Sequence, residues 1–389
     1  IHRSTGEILW QQAIPAPRSE KRHDLNDPAA STPATDGENV YVFFGDFGLV
    51  SYTKDGRERW RKPMGPFTNL HGMGASPVLA AGKLFMVCDQ DVGSYLVALD
   101  PATGEEIWRV DRSEVVHGFS TPAVYQPPGR PAELIVPGSY QLIAYSADTG
   151  EKLWWVRGIT WQVKSAPVIG DGVLYFNGWA PGGDPGQQAY LPEFSQALKE
   201  CDRNGDGLLA PEELPKPYQP TGTWGAIDLD DDGFLNARDW HFFRSRRAAE
   251  NSCLAVRLGG RGDVTDTHVL WRHRKAIPDV PTPLLYNGVL YLVRTGGIAT
   301  SLDAATGEIL KQARLTGALE GFYASPVAGG GKVYMMSQEG KLVILSGGGE
   351  WEIEAIHDFG DQAYATPALS GDRMYIRTRS QLYCFRSGH

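Results

Sequence analysis

Residues 202–213 read DRNGDGLLAPEE, and residues 228–239 read DLDDDGFLNARD. In each stretch side-chain oxygens fall at positions 1, 3, 5 and 12, a backbone carbonyl is due at position 7, and a glycine, Gly207 or Gly233, stands at position 6. A hard divalent cation such as Ca²⁺ takes about 6 to 8 oxygen ligands, and a loop with this spacing and a sharp glycine turn can wrap one. The first loop offers Asp202, Asn204, Asp206, the Leu208 carbonyl and Glu213, with Ala210 leaving position 9 to a water. The second offers Asp228, Asp230, Asp232, the Phe234 carbonyl, Asn236 and Asp239. Two Ca²⁺ sites are expected. Leu209 and Leu235 take position 8, where an apolar residue lets paired loops join as a short β-bridge.

The matched spacing resembles the EF-hand family, and that resemblance implies a small α-helical pair around the loops. Asp239 is one methylene shorter than the usual glutamate, which leaves Ca²⁺ against Mg²⁺ open in the second loop. Pro211 and Pro215 shorten the exit helix of the first. A compact structural pair is expected in place of a sensor whose long helices swing open.

Those loops must be carried by something, and the rest of the chain repeats. A small hydroxyl residue or alanine followed by proline recurs at Thr32, Ser76, Thr121, Ala166, Thr282, Ser325 and Thr366, with spacings of 44, 45, 45, 116, 43 and 41 residues. The long gap holds one ordinary period and an insertion near residues 180–250. Each unit reads as short β-rich runs separated by Gly, Asp and Thr-Gly turns, which predicts four antiparallel strands. A period of this length with four strands is a propeller blade. The fold expected is all-β: a seven-bladed β-propeller of four-stranded antiparallel blades, formed by residues 1–179 and 251–389, with the EF-hand pair inserted at 180–250. Trp10, Trp60, Trp108, Trp154, Trp271 and, less regularly, Trp351 mark the outermost strands as packing residues. The last unit, beginning near Ala365, ends without its tryptophan strand, so Ser4–Trp10 is expected to complete it.

The pattern A-x-D-x-x-T-G-x-x-x-W resembles the repeat of pyrroloquinoline-quinone (PQQ) enzymes and of the BamB-like propeller family, and it covers essentially the whole chain outside the insertion. Combined with the EF-hand pair, it resembles BamB-like repeat proteins of planctomycete-type bacteria. The resemblance implies eight blades in the complete protein, with an upstream blade ahead of Ile1. Quinoprotein dehydrogenases of this type use a vicinal Cys-Cys disulfide beside the quinone, and this sequence has no adjacent cysteines. PQQ is not expected, and fold alone does not imply function.

Loops leading into the first strand of each blade carry His23, His71, His117, Trp161, Tyr323, His357 and Tyr364, a candidate ligand site at one mouth of the propeller. The insertion lies between the second and third strands of its blade and is expected to overhang that mouth. Formal net charge is -9. Residues 202–239 contain nine acids and three bases, so the charge reflects the loops and gives no sign of a nucleic-acid partner. No apolar run approaches the ~20 residues of a membrane span. A signal peptide or anchor is not visible, and a periplasmic or secreted location is expected. Cys88 and Cys384 are expected to be buried thiols, while a Cys201–Cys253 pairing is left open. The function expected is a non-enzymatic calcium-binding scaffold for a protein or small-molecule ligand at the mouth. A quinoprotein-like oxidoreductase with a divergent site, and a glycan-binding or glycan-cleaving propeller, are the competitors.

Overall fold

A computed structural model describes residues 1–220 and 222–386. The protein is a seven-bladed β-propeller built from antiparallel sheets. The second blade shows the plan: Val78–Ala80, Lys83–Cys88, Tyr95–Leu99 and Glu106–Asp111 pair in chain order. Its two middle strands, KLFMVC and YLVAL, are buried almost throughout, whereas the outermost alternates between half-buried and exposed residues. A strand covered on both faces reads as a continuous apolar run, and one at the rim needs only one apolar face.

The repeat signature has a packing cause. Gly104 adopts φ +75°, and a Cβ there would lie 2.7 Å from the Trp60 ring of the preceding blade. The Trp60 indole N–H donates to the Pro101 carbonyl at 3.1 Å. Trp108 over Gly150 and Trp271 over Gly307 repeat the contact. Asp100 and Thr103 fold the same turn by accepting from the backbone N–H groups of Ala102 and Glu105. The motif is thus a slot for the neighbour's indole, where only glycine leaves room. The hydroxyl before each proline has an equally local task. Thr32 N–H donates to Ser76 Oγ, Ser76 N–H to Thr121 Oγ1, Thr282 N–H to Ser325 Oγ and Ser325 N–H to Thr366 Oγ1, at 2.9 to 3.0 Å. Ala166 keeps the donor role, to Thr282 Oγ1 at 3.0 Å.

Three expectations need correction. Ser4–Trp10 forms no strand, and among the described residues the last sheet holds Ala368–Ser370, Arg373–Arg377 and Leu382–Arg386. Trp10 instead lies on the first blade, its ring over Gly56 and 5.7 Å from Tyr52, with its N–H donating to the Lys54 carbonyl. A turn that binds an indole can hold the tryptophan without any ladder behind it, and Ile8 and Leu9 stay exposed. Cys384 is exposed, because its strand is the last of that three-stranded sheet; Cys88 is buried as expected, and burial pushes its thiol up to about 12. His357 sits inside the strand Ile353–Asp358, outside the loops that lead into first strands. All four cysteines are free thiols.

The chain divides into two compact units: Ile1–Leu153 with Gln187–Ala249, and Trp154–Gly186 with the chain from Glu250 onward. In the second unit the strands Val173–Gly178 and Ser252–Arg257 pair directly, Gly178 opposite Ser252, although 73 residues separate those two. Arg261–Asp263 contributes the short strand Gly262–Asp263, parallel to Trp154 and Trp155. No helix among the described residues is long and apolar enough to cross a membrane.

Candidate metal centre

Two helices frame the loops: α1, Phe194–Cys201, enters the first, and α2, Ala237–Ala248, leaves the second. Between them, among the described residues, the helical pieces are the single turns Lys216–Tyr218 and Trp224–Ala226, as the prolines require. The module has its own apolar core around the fully buried Trp240, packed with Leu209, Leu214, Leu235 and Phe243. The Trp240 indole N–H reaches the Pro192 carbonyl at 2.9 Å. Leu209 and Leu235 exchange both backbone hydrogen bonds, at 3.1 and 2.9 Å, so the loops are joined back to back.

Within each loop the carboxylates are wired alike. At position 1, Asp202 accepts from Gly205 and Gly207 N–H, and Asp228 from Asp232 and Gly233 N–H. At position 12, Glu213 accepts from Arg203 and Ala210 N–H at 2.9 Å. Asp239, one methylene shorter, accepts from the equivalent Leu229 and Asn236 N–H at 3.2 and 3.0 Å. Asp206 and Asp232 at position 5 accept from Leu208 and Phe234 N–H. Asn204 accepts from Asp206 N–H, and the Asn236 amide donates to Asp230. Oxygens of Asp228, Asp230 and Asp232 lie within 4.8 Å of one another.

Concentrating these carboxylates is electrostatically costly. Burial, with Asp230 and Asp228 adding to it, lifts the Asp239 carboxyl to about 6, against the pull of two backbone N–H donors. Burial also raises Asp228, and Asp232 and Asp230 add to the effect. The arginines of the loops do not relieve it: Arg203 donates to the Glu212 carbonyl and Arg238 to the Asp91 carbonyl. The donor set is all hard oxygen, which fits Ca²⁺ or Mg²⁺ and not a soft metal.

The module packs on loops of its own unit. Leu229 and Phe242 cluster with Val116 and Tyr140, and Tyr140 OH donates to the Phe242 carbonyl at 2.9 Å. Neither Arg238 nor Leu229 stood out in the sequence, since positions 2 and 11 of such a loop carry no ligand and only the fold shows what they touch. Of the residues expected at the mouth, His23 and His71 stack edge to face at 5.5 Å, and His71 meets Phe119 at 5.8 Å. His117 is buried, with Nδ1 2.7 Å from Asp91 Oδ1. In the other unit Tyr323 and Tyr364 meet at 6.2 Å, and Trp161 is buried. His357 lines a separate groove of about 390 Å³ with Tyr334, Phe359, Met374 and Phe385.

The profile of the family described as outer membrane protein assembly factor BamB matches residues 92–189 and 223–388. An outer membrane protein assembly factor BamB from Kangiella koreensis is 30% identical over 105 residues, 27% of this chain and 24% of that protein. Another, from Shewanella oneidensis, is 26% identical over 182 residues, 46% of this chain and 42% of that protein. The chain therefore spans less than half the length of either relative. The crystal structure of BamB from Moraxella catarrhalis superposes with a TM-score of 0.56 at 12% identity, over 90% of this chain and 81% of that one, a likeness of fold. The profile runs through both compact units and over more than half of the residues, and the chain belongs to the PQQ-repeat family of the outer membrane protein assembly factor BamB.

Proposed function

We propose that this protein is a non-enzymatic propeller scaffold that binds two Ca²⁺ ions in an inserted EF-hand pair and presents its loop face to a protein partner or small ligand outside the cytoplasm, in the periplasm or as a secreted protein. The observation that carries the metal reading is the shared wiring of the two loops. In both, the position 1 carboxylate accepts from the position 6 N–H and the position 12 carboxylate from the N–H groups of positions 2 and 9, across a mutual Leu209–Leu235 bridge. Random acidic turns have no reason to repeat that pattern. With this donor count the affinities are expected toward the extracellular end of the range, Kd about 10⁻⁵ to 10⁻³ M. The relatives' name, assembly factor, supports a protein as the partner class.

The dehydrogenase alternative lacks the vicinal cysteine pair, since Cys88, Cys201, Cys253 and Cys384 are far apart in sequence. Calorimetric titration with Ca²⁺ tests the metal reading. Two sites are expected in the wild type, with Asp202→Ala and Asp228→Ala each losing one; unchanged stoichiometry in both variants overturns it.

A further inference from the structure

The two loops are not equally placed. The second touches the propeller through two residues of its own, Leu229 at position 2 and Arg238 at position 11. Leu229 is buried against Val116 and Phe242 beside Tyr140. Arg238 extends over the Phe242 ring, 5.1 Å from its centroid, and donates to the Asp91 carbonyl at 2.7 Å. Asp91 in turn faces the buried His117, and Val116 N–H is held by Ser139 Oγ at 2.7 Å. These propeller contacts come from three separate loops, at 89–94, 112–118 and 139–140, all in the same compact unit as the insertion.

The residues that grip the propeller are also the ones tied to the ion ligands. Leu229 gives its N–H to Asp239, and Arg238 adjoins Asp239 in the chain, its own N–H capped by Asn236. In the first loop the equivalent places are Arg203, whose side chain turns back to the Glu212 carbonyl, and Glu212 itself, 10 residues after Asp202.

We propose that cation binding in the second loop is transmitted to the propeller through Leu229 and Arg238, fixing the loops that hold Asp91, Val116 and His117, whereas the first loop acts only within the insertion. The inference rests on the calcium reading and extends it from occupancy to consequence. A cation that fixes the carboxylates of Asp228 and Asp239 stiffens both neighbours at once. Through them it lowers the opening frequency of three loops that contain no ion ligand.

Hydrogen exchange of the intact protein, in Ca²⁺ against a chelator and paired with calorimetry, tests this. Ca²⁺ should slow exchange at the amides of Asp91 and Val116 by about tenfold. Asp202→Ala should keep that slowing and Asp228→Ala should lose it. Arg238→Ala and Leu229→Ala should still bind two ions by calorimetry yet lose the response at Asp91 and Val116. If the wild type binds two ions and those amides do not respond, the coupling is wrong and the metal reading survives. If the wild type binds no ion, both fall. A response that persists in Arg238→Ala and Leu229→Ala combined also overturns the route.

Discussion

Asn236 does two jobs at one position. Its side chain accepts from Arg238 and Asp239 N–H at 2.8 and 3.2 Å, while Asp239 returns a bond to the Asn236 N–H, so the loop's ninth residue is also the cap of α2. The reciprocal bonds are a capping box, worth about 0.5–2 kcal/mol when the side chain is cut to alanine. Asn236→Ala should therefore destabilise the ion-free insertion by that amount, read by denaturation in chelator, and Asn236→Gly by only a few tenths. Equal losses for both would mean that the cap is not what holds this turn. Ala210, at the same position of the first loop, has no such group, and the turn that follows that loop, Lys216–Tyr218, is a single one. This asymmetry was legible in the sequence, where Asn and Ala differ in oxygen supply and Pro211 follows Ala210. The contacts of Leu229 and Arg238 were not, because both depend on which surface the module meets.

At the scale of elements, blade order and the four-strand plan followed from periodicity, because turn residues and alternating burial repeat at a fixed interval. The register between Val173–Gly178 and Ser252–Arg257 makes one antiparallel pair of the strands on either side of the long gap in that period. Ser4–Trp10 misled for a physical reason: it carries the slot signature, and the slot binds an indole whether or not a ladder forms behind it. The slot itself is testable. Gly104→Ala places a methyl 2.7 Å from the Trp60 ring at φ +75° and should cost about 1–3 kcal/mol in chemical denaturation. Gly6, at the same φ with no atom within 4 Å of an added methyl, is the control, and its alanine variant should cost less. Equal losses would show that backbone strain, and not the indole, explains the glycine. Trp154, with 1% exposure, should cost about 3–5 kcal/mol on replacement by alanine.

For the molecule as a whole, calcium is expected to stabilise the insertion and the three propeller loops that Leu229 and Arg238 touch, while the strands of the blades gain little. The insertion core around Trp240 includes both bridge leucines, whereas the blades are held by their own strands and indole slots. With about 1 mM free Ca²⁺ and a Kd near 10 µM, linkage stabilises the module by about 2.7 kcal/mol. Chelation should expose residues 187–249 to protease while the strands retain a cooperative unfolding transition. Loss of both together would show that the insertion is an integral part of the propeller's stability. Ion counting by native mass spectrometry tests the central claim most directly. The wild type should carry two Ca²⁺ ions that chelator removes, each of Asp202→Ala and Asp228→Ala one, and the double variant none; a wild type with no bound ion, or a double variant that retains two, would contradict it.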